Sequence, residues 1–143
     1  MISTKNLQQA KNQIKTTKGR PIIVKAQDSE FNRKILEYGK FDVLLDVHDT
    51  RGIDRLRQLD SGLNHVIARI AAKNEVAIGI DLERIRNLNG KMKAEFLGRI
   101  RQNIKICRKA KVKIRLVNFI DDLDAKDFLV SLGASTSQAS GAI

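Results

Sequence analysis

Tryptophan is absent from this sequence and cysteine occurs once. The lone Cys107 excludes an internal disulfide and any cysteine-rich zinc site. It falls on the apolar side of a predicted helix, where a thiol packs as a small hydrophobe. Two histidines, His48 and His65, are little material for a catalytic zinc, which takes two or three imidazoles with a carboxylate. Aromatic residues make up only 4% of the chain, too few exposed rings for base stacking to dominate nucleic-acid binding. No apolar run approaches the roughly 20 residues that span a bilayer, and MISTKNLQQAKNQIKTTKGR lacks the apolar stretch of a secretory signal. A cytoplasmic location is expected. Neither Gly79 nor Gly90 sits in a Walker or dinucleotide spacing, so no glycine-rich phosphate loop is expected. No internal repeat or low-complexity linker occurs, although SLGASTSQASGAI is rich in small residues and free to fray.

What the sequence has in excess is positive charge. Lys and Arg number 27 against 16 Asp and Glu, a formal charge of +11. Such a chain seeks a polyanion. A membrane surface is disfavoured, because the basic residues lie opposite continuous core-type stripes and no Trp is present to anchor in the interface. Backbone-directed binding to structured RNA or duplex DNA remains.

With 143 residues and 42% hydrophobic content, the chain suits one domain. A helix is expected within residues 1–19, with βα units and C-terminal helices over residues 20–143. PIIVKA, FDVLLDV and VAIGI read as buried strands. SEFNRKILEYG reads as a helix stopped at Gly39, and HDTRGIDRLRQLDSG as a long connection with a helical turn at Ile53 to Leu56. Asp60 or Ser61 is the expected cap of the next helix. There Leu63, Val66, Ile67 and Ile70 form an apolar stripe, while His65, Arg69 and Lys73 share another face. The longest helix is expected from about Lys91 to Ala110, with Phe96, Leu97, Ile100, Ile104 and Cys107 inward. KVKIRLV alternates strictly, with Val112, Ile114 and Leu116 on one side and Lys111, Lys113 and Arg115 on the other. Two short helices follow, near Asp124 to Leu132 and Ser135 to Ala142, around the stop signal at Gly133.

Apolar strands separated by helices imply parallel strands joined by right-handed crossovers. The expected fold is α/β: parallel βα units in a reduced or incomplete TIM-barrel-like arrangement of about four to five strands. A full barrel takes about 250 residues, so this chain supplies about half of one. The basic side of the fourth strand suits an open edge or face, through which the chain could self-associate.

Two groups of residues are candidates for function. Asp46, His48 and Asp49 stand at a strand end, where barrel enzymes keep their working residues. The Asp-x-His pattern resembles a fragment of the metal sites of metal-dependent phosphoesterases, whose metals activate water. Further ligands would have to come from Asp81, Glu83, Asp121 or Asp122, with no other well-placed histidine, so helix caps and solvated carboxylates are the favoured reading; no metal, cofactor or catalytic residue is expected. The second group is distributed basic surface: Arg69 and Lys73; Arg84, Arg86 and Lys91; Arg101, Lys105 and Arg108; Lys111, Lys113 and Arg115. Any one of these could be an ordinary solvated residue, but the charge imbalance argues for phosphate contacts collectively. His65, beside Arg69 on its helix, suits a partner contact better than catalysis.

The stretches KFDVLLDVHDTR, DRLRQLDSGLNHVIARIAAKNEVAIGIDL, RIRQNIKICRKAKVKIRLV and DFLVSLGASTSQA resemble the archaeal ribonuclease P protein component 3 family, over most of the chain from Pro21 onward. The resemblance implies a barrel-like fold and a role as a protein subunit of the ribonucleoprotein that removes the 5′ leader from precursor tRNA. It also implies that catalysis belongs to the ribonuclease P RNA, that protein component 2 is the direct partner, and that precursor tRNA is met only indirectly. The chain departs from the family pattern in two places. Only a helix is legible before Pro21, where a first strand is usual, and NFIDDLDAKD replaces the family's loop after the late strand.

Overall fold

Four short apolar segments pair side by side in the computed structural model, which describes residues 1–49 and 61–143. The expected turn at Ile53 to Leu56 and the candidate cap Asp60 lie outside the described residues. The elements, in chain order, are α1 (Leu7–Thr16), β1 (Ile23–Lys25), α2 (Ser29–Tyr38), β2 (Val43–Leu45), α3 (His65–Lys73), β3 (Ala77–Asp81), α4 (Leu82–Arg86), α5 (Gly90–Ala110), β4 (Ile114–Val117), α6 (Asp122–Ser131) and α7 (Thr136–Gly141). The sheet order is β1-β2-β3-β4 with every pair parallel. With right-handed crossovers, this sequential order places the connecting helices on one face, as in a barrel wall; a doubly wound sheet would reverse direction. Accordingly α1 packs on α2, α2 on α3, and α3 on α5.

Register fixes which side chains face the helices. Val24, Leu44, Ile78 and Ile114 are aligned across the sheet and are all buried in the main hydrophobic cluster with Ile35, Ile100, Ile104 and Cys107. Since side chains alternate along a strand, the neighbouring row Lys25, Leu45, Gly79 and Arg115 points the other way. Gly79 is required there: a Cβ would lie 2.5 Å from Val43 Cγ1 and 3.0 Å from Leu45 Cδ1.

The structure corrects three readings. The helix after the long connection is capped by Asn64, whose side chain accepts from the Ile67 amide; the Ser61 hydroxyl donates to the Leu63 carbonyl instead. Because the helix starts only at His65, its inward stripe is Ile67, Ala68 and Ala71, and Val66 is 58% exposed. Directly after β3, Asp81 caps α4 by accepting from the Glu83 and Arg84 amides. And a strand position does precede α1: Ile2 pairs in parallel with Val24, donating to Ile23 O and accepting from Lys25 N, both at 2.8 Å. At the opposite edge, the Leu116 amide donates to Ala142 O. Each sheet edge is therefore partly engaged by the chain itself. No helix among the described residues is long and apolar enough to cross a membrane.

Candidate functional site

The eleven basic residues singled out in the sequence do not form one surface. Arg69 and Lys73 are exposed on α3 together with His65, and Arg101, Lys105 and Arg108 are exposed on α5. These stripes run along adjacent helices of one layer. Lys111 adopts the left-handed conformation (φ 62°) that ends α5. Lys113 and Arg115 are exposed while Val112, Ile114 and Leu116 are buried, so this pair lies on the sheet face opposite the helices.

Their side chains also differ in how far they are engaged. Arg108 donates to Gly133 O and to Gln138 Oε1; Gln138 in turn completes the capping box of α7 with Ser135 and donates to Ile104 O. Arg108 thus ties α7 to α5. The Arg86 guanidinium donates to Asn118 O at 2.8 Å, holding α4 to the exit of β4. Arg84 lies 3.6 Å from Asp49 and over the Phe96 ring at 5.7 Å, and Lys91 pairs at 4.0 Å with Glu95. The other seven, Arg69, Lys73, Arg101, Lys105, Lys111, Lys113 and Arg115, make no side-chain hydrogen bond or ion pair among the described residues. Their charge is available to a ligand.

The strand-end group is engaged in folding. Asp46 follows β2 in a left-handed conformation (φ 59°) and is 2% exposed. Its amide donates to Gly79 O. One carboxylate oxygen accepts from the Asp81 amide at 3.0 Å and the other from Lys25 Nζ at 3.0 Å. Burial pushes the Asp46 carboxyl up, and the Asp81 amide and Lys25 ammonium pull it back. Lys25 also lies 3.8 Å from Asp49, so an ammonium stands between these two carboxylates where the phosphoesterase reading would put a metal. His48 is 1% exposed, with its ring edge-on to Phe96 at 5.5 Å. Burial lowers its pKa to about 4; Asp49 opposes this and Lys25, Arg99 and Arg84 add to it. His48 is therefore neutral near pH 7, and its 3.7 Å approach to Asp46 is a contact longer than a hydrogen bond. Asp81 and Asp121 cap helices, and Asp122 lies in the first turn of α6. Among the described residues no three potential metal ligands converge.

Sequence reasoning missed Arg99. It is 5% exposed, donates to His48 O at 3.3 Å and lies 5.8 Å from the Phe96 ring centroid. Its position three residues after Phe96 places it on the inward stripe, which was the available signal. Cys107 is buried, and desolvation pushes its thiol up to about 12, as expected of a packing residue.

No protein-family model matches the chain. The ribonuclease P protein component 3 of Methanosarcina acetivorans is 34% identical over 95 residues, covering 66% of this chain and 36% of that protein. Those of Methanocaldococcus jannaschii and Methanococcus maripaludis strain C7 are 27% and 26% identical, covering 79% and 76% of this chain. They are covered over 47% and 44% of their own length, so the chain spans about half or less of the curated relatives it matches. A chain in a cryo-EM structure of archaeal ribonuclease P with mature tRNA superposes with a TM-score of 0.77 at 25% identity, over 98% of this chain and 61% of that one. The barrel-wall fold and most of the sequence thus place this chain as a homologue of archaeal ribonuclease P protein component 3, shorter than the proteins it matches.

Proposed function

We propose that this chain is a protein subunit of ribonuclease P that is not itself catalytic and that holds the catalytic RNA through phosphate contacts during removal of the 5′ leader from precursor tRNA. The observation that carries this reading is the set of seven exposed Lys and Arg residues, without a side-chain partner among the described residues, on a homologue of a ribonuclease P subunit. Arg69, Lys73, Arg101 and Lys105 offer a helix-borne array that tracks a phosphate backbone; Lys111, Lys113 and Arg115 offer a second one. Arg84, Arg86 and Arg108 hold secondary elements together and contribute less to RNA. Protein component 2 is the direct protein partner in this reading, and precursor tRNA is positioned through the RNA.

The test is RNA binding measured against salt. Log affinity for the ribonuclease P RNA falls linearly with log salt, with a slope of roughly −0.7 to −0.9 per phosphate neutralised. Replacing Arg101 and Lys105 by Ala reduces that slope by about one per residue without lowering thermal stability. Reconstitution of leader cleavage from the RNA, component 2 and this chain gives the functional readout. A flat salt response, or cleavage independent of this chain, overturns the proposal.

A further inference from the structure

Helix α6 stands apart from the rest of this basic molecule. Asp121, Asp122, Asp124 and Asp127 lie within seven residues, all exposed, and none makes an ion pair among the described residues although the chain carries 27 cations. Favourable interaction with the helix N-terminus explains acids in the first turn. It does not explain the apolar residues beside them: Ile120 is 89% exposed, Leu123 66% and Val130 46%. Ile120 stands at the rim of a groove of about 440 Å³ between α4, the first half of α5 and α6, whereas Leu123 and Val130 lie outside its lining. Ile85, Leu97, Phe119 and Phe128 line it, with Asp121 and Asp124 on the α6 side. On the opposite wall the Arg86 guanidinium is held by Asn118 O, which leaves Lys93 as the cation there with no ion pair among the described residues.

We propose that this groove docks a basic amphipathic segment of a protein partner, its apolar ridge over Phe119 and Phe128 and its Lys or Arg residues over the aspartates of α6. An apolar trough beside an exposed apolar rim is the geometry of helix-in-groove recognition, and the charge of α6 selects the sign of the occupant. RNA is a poor occupant, since its phosphates would meet Asp121 and Asp124, neither of which is ion-paired among the described residues. Among the described residues a second copy of this chain offers no matching ridge: the other exposed large hydrophobics, Met1, Val66 and Met92, lie at the N-terminus, on α3 and on α5. The inference does not depend on which ribonucleoprotein, if any, the basic faces serve.

The test uses a synthetic amphipathic helical peptide of leucine and lysine, with a leucine–glutamate peptide of the same apolar pattern as control, titrated into the full chain and followed by NMR. Generic electrostatics repel a cationic peptide from a +11 protein, so its binding must be local. The expected result is at least about tenfold tighter binding of the lysine peptide, with shifts centred on Phe119, Ile120 and Phe128. Replacing Ile120 by Ser, exposed and so without cost to folding, lowers that affinity about tenfold and leaves RNA affinity unchanged, as does Asp124→Asn. Equal binding of the two peptides, no binding, or shifts elsewhere overturns the proposal. So does self-association by sedimentation that the Ile120 substitution abolishes, or loss of RNA affinity in that variant.

Discussion

Acidification removes a defined part of this protein's stability through His48. In the unfolded chain the imidazole titrates near 6.5, and in the fold burial lowers the value to about 4. Above pH 6.5 both states are neutral there and below about 4 both are charged; in between, the unfolded state binds a proton that the folded state refuses. Stability therefore rises with pH in that window: the His48 contribution is fully present above 6.5 and lost as the pH falls toward 4. At about 1.4 kcal/mol per pH unit, the interval corresponds to about 3 kcal/mol, a large share of the 5–15 kcal/mol typical of a native domain. Asp46 acts in the opposite direction. Its folded carboxyl titrates above its ordinary value, so its contribution is present at low pH and lost as the pH rises through that value. The assay is urea unfolding at pH steps between 7 and 4 for the natural chain and His48→Gln. The difference in slope between the two isolates His48 from Asp46 and the other carboxylates. NMR of the His48 ring signals adds a direct reading. A His48 ring that titrates near 6.5, or a His48→Gln protein with the same pH slope as the natural chain, refutes the argument.

Arg108→Ala removes the tie between α5 and α7 and lowers unfolding free energy by about 1–2 kcal/mol, whereas Arg101→Ala changes it by less than about 0.5; parallel thermal melts distinguish them. Gly79→Ala forces a methyl against Val43 and Leu45 and costs about 1–3 kcal/mol by urea unfolding. Lys25→Met leaves the Asp46 carboxylate buried without its cation and costs about 3 kcal/mol at pH 7. That loss shrinks on acidification as Asp46 takes up a proton, so equal losses at pH 7 and pH 5 would count against the ion pair.

The parallel α/β framework was legible because it depends on short-range patterns. PIIVKA, FDVLLDV and VAIGI each carry apolar runs too short for helices, and the alternation of Lys111 to Leu116 announced a strand with one wet face. The cap at Asn64 was missed because Asp60, Ser61 and Asn64 are all good capping residues, and the choice among them rests on where the preceding chain enters. Val66 was misassigned for the same reason, since the helix phase follows its start. The pairing of Ile2 with Val24 involves one residue and leaves no periodic trace. At the candidate site, exposure of Arg69, Lys73, Arg101 and Lys105 followed from helical spacing. The engagement of Arg86 and Arg108 depends on carbonyls 32 and 25 residues away in the chain, which no local pattern encodes. His48 looked like a reactive group because its sequence neighbours are charged; Phe96 and Arg99 on α5, remote in sequence, make it part of the core.

The ammonium of Lys25 gives the strand end of Asp46 a property that a dissociable metal could not. A cation borne on β1 is present at a local concentration set by the backbone and does not depend on supply from solution. A chelator cannot withdraw this cation, and salt screens a largely buried pair only weakly. The tie between the ends of β2 and β3, made by the Asp46 carboxylate accepting from the Asp81 amide, is thus built to keep its shape across wide changes in divalent ions and ionic strength.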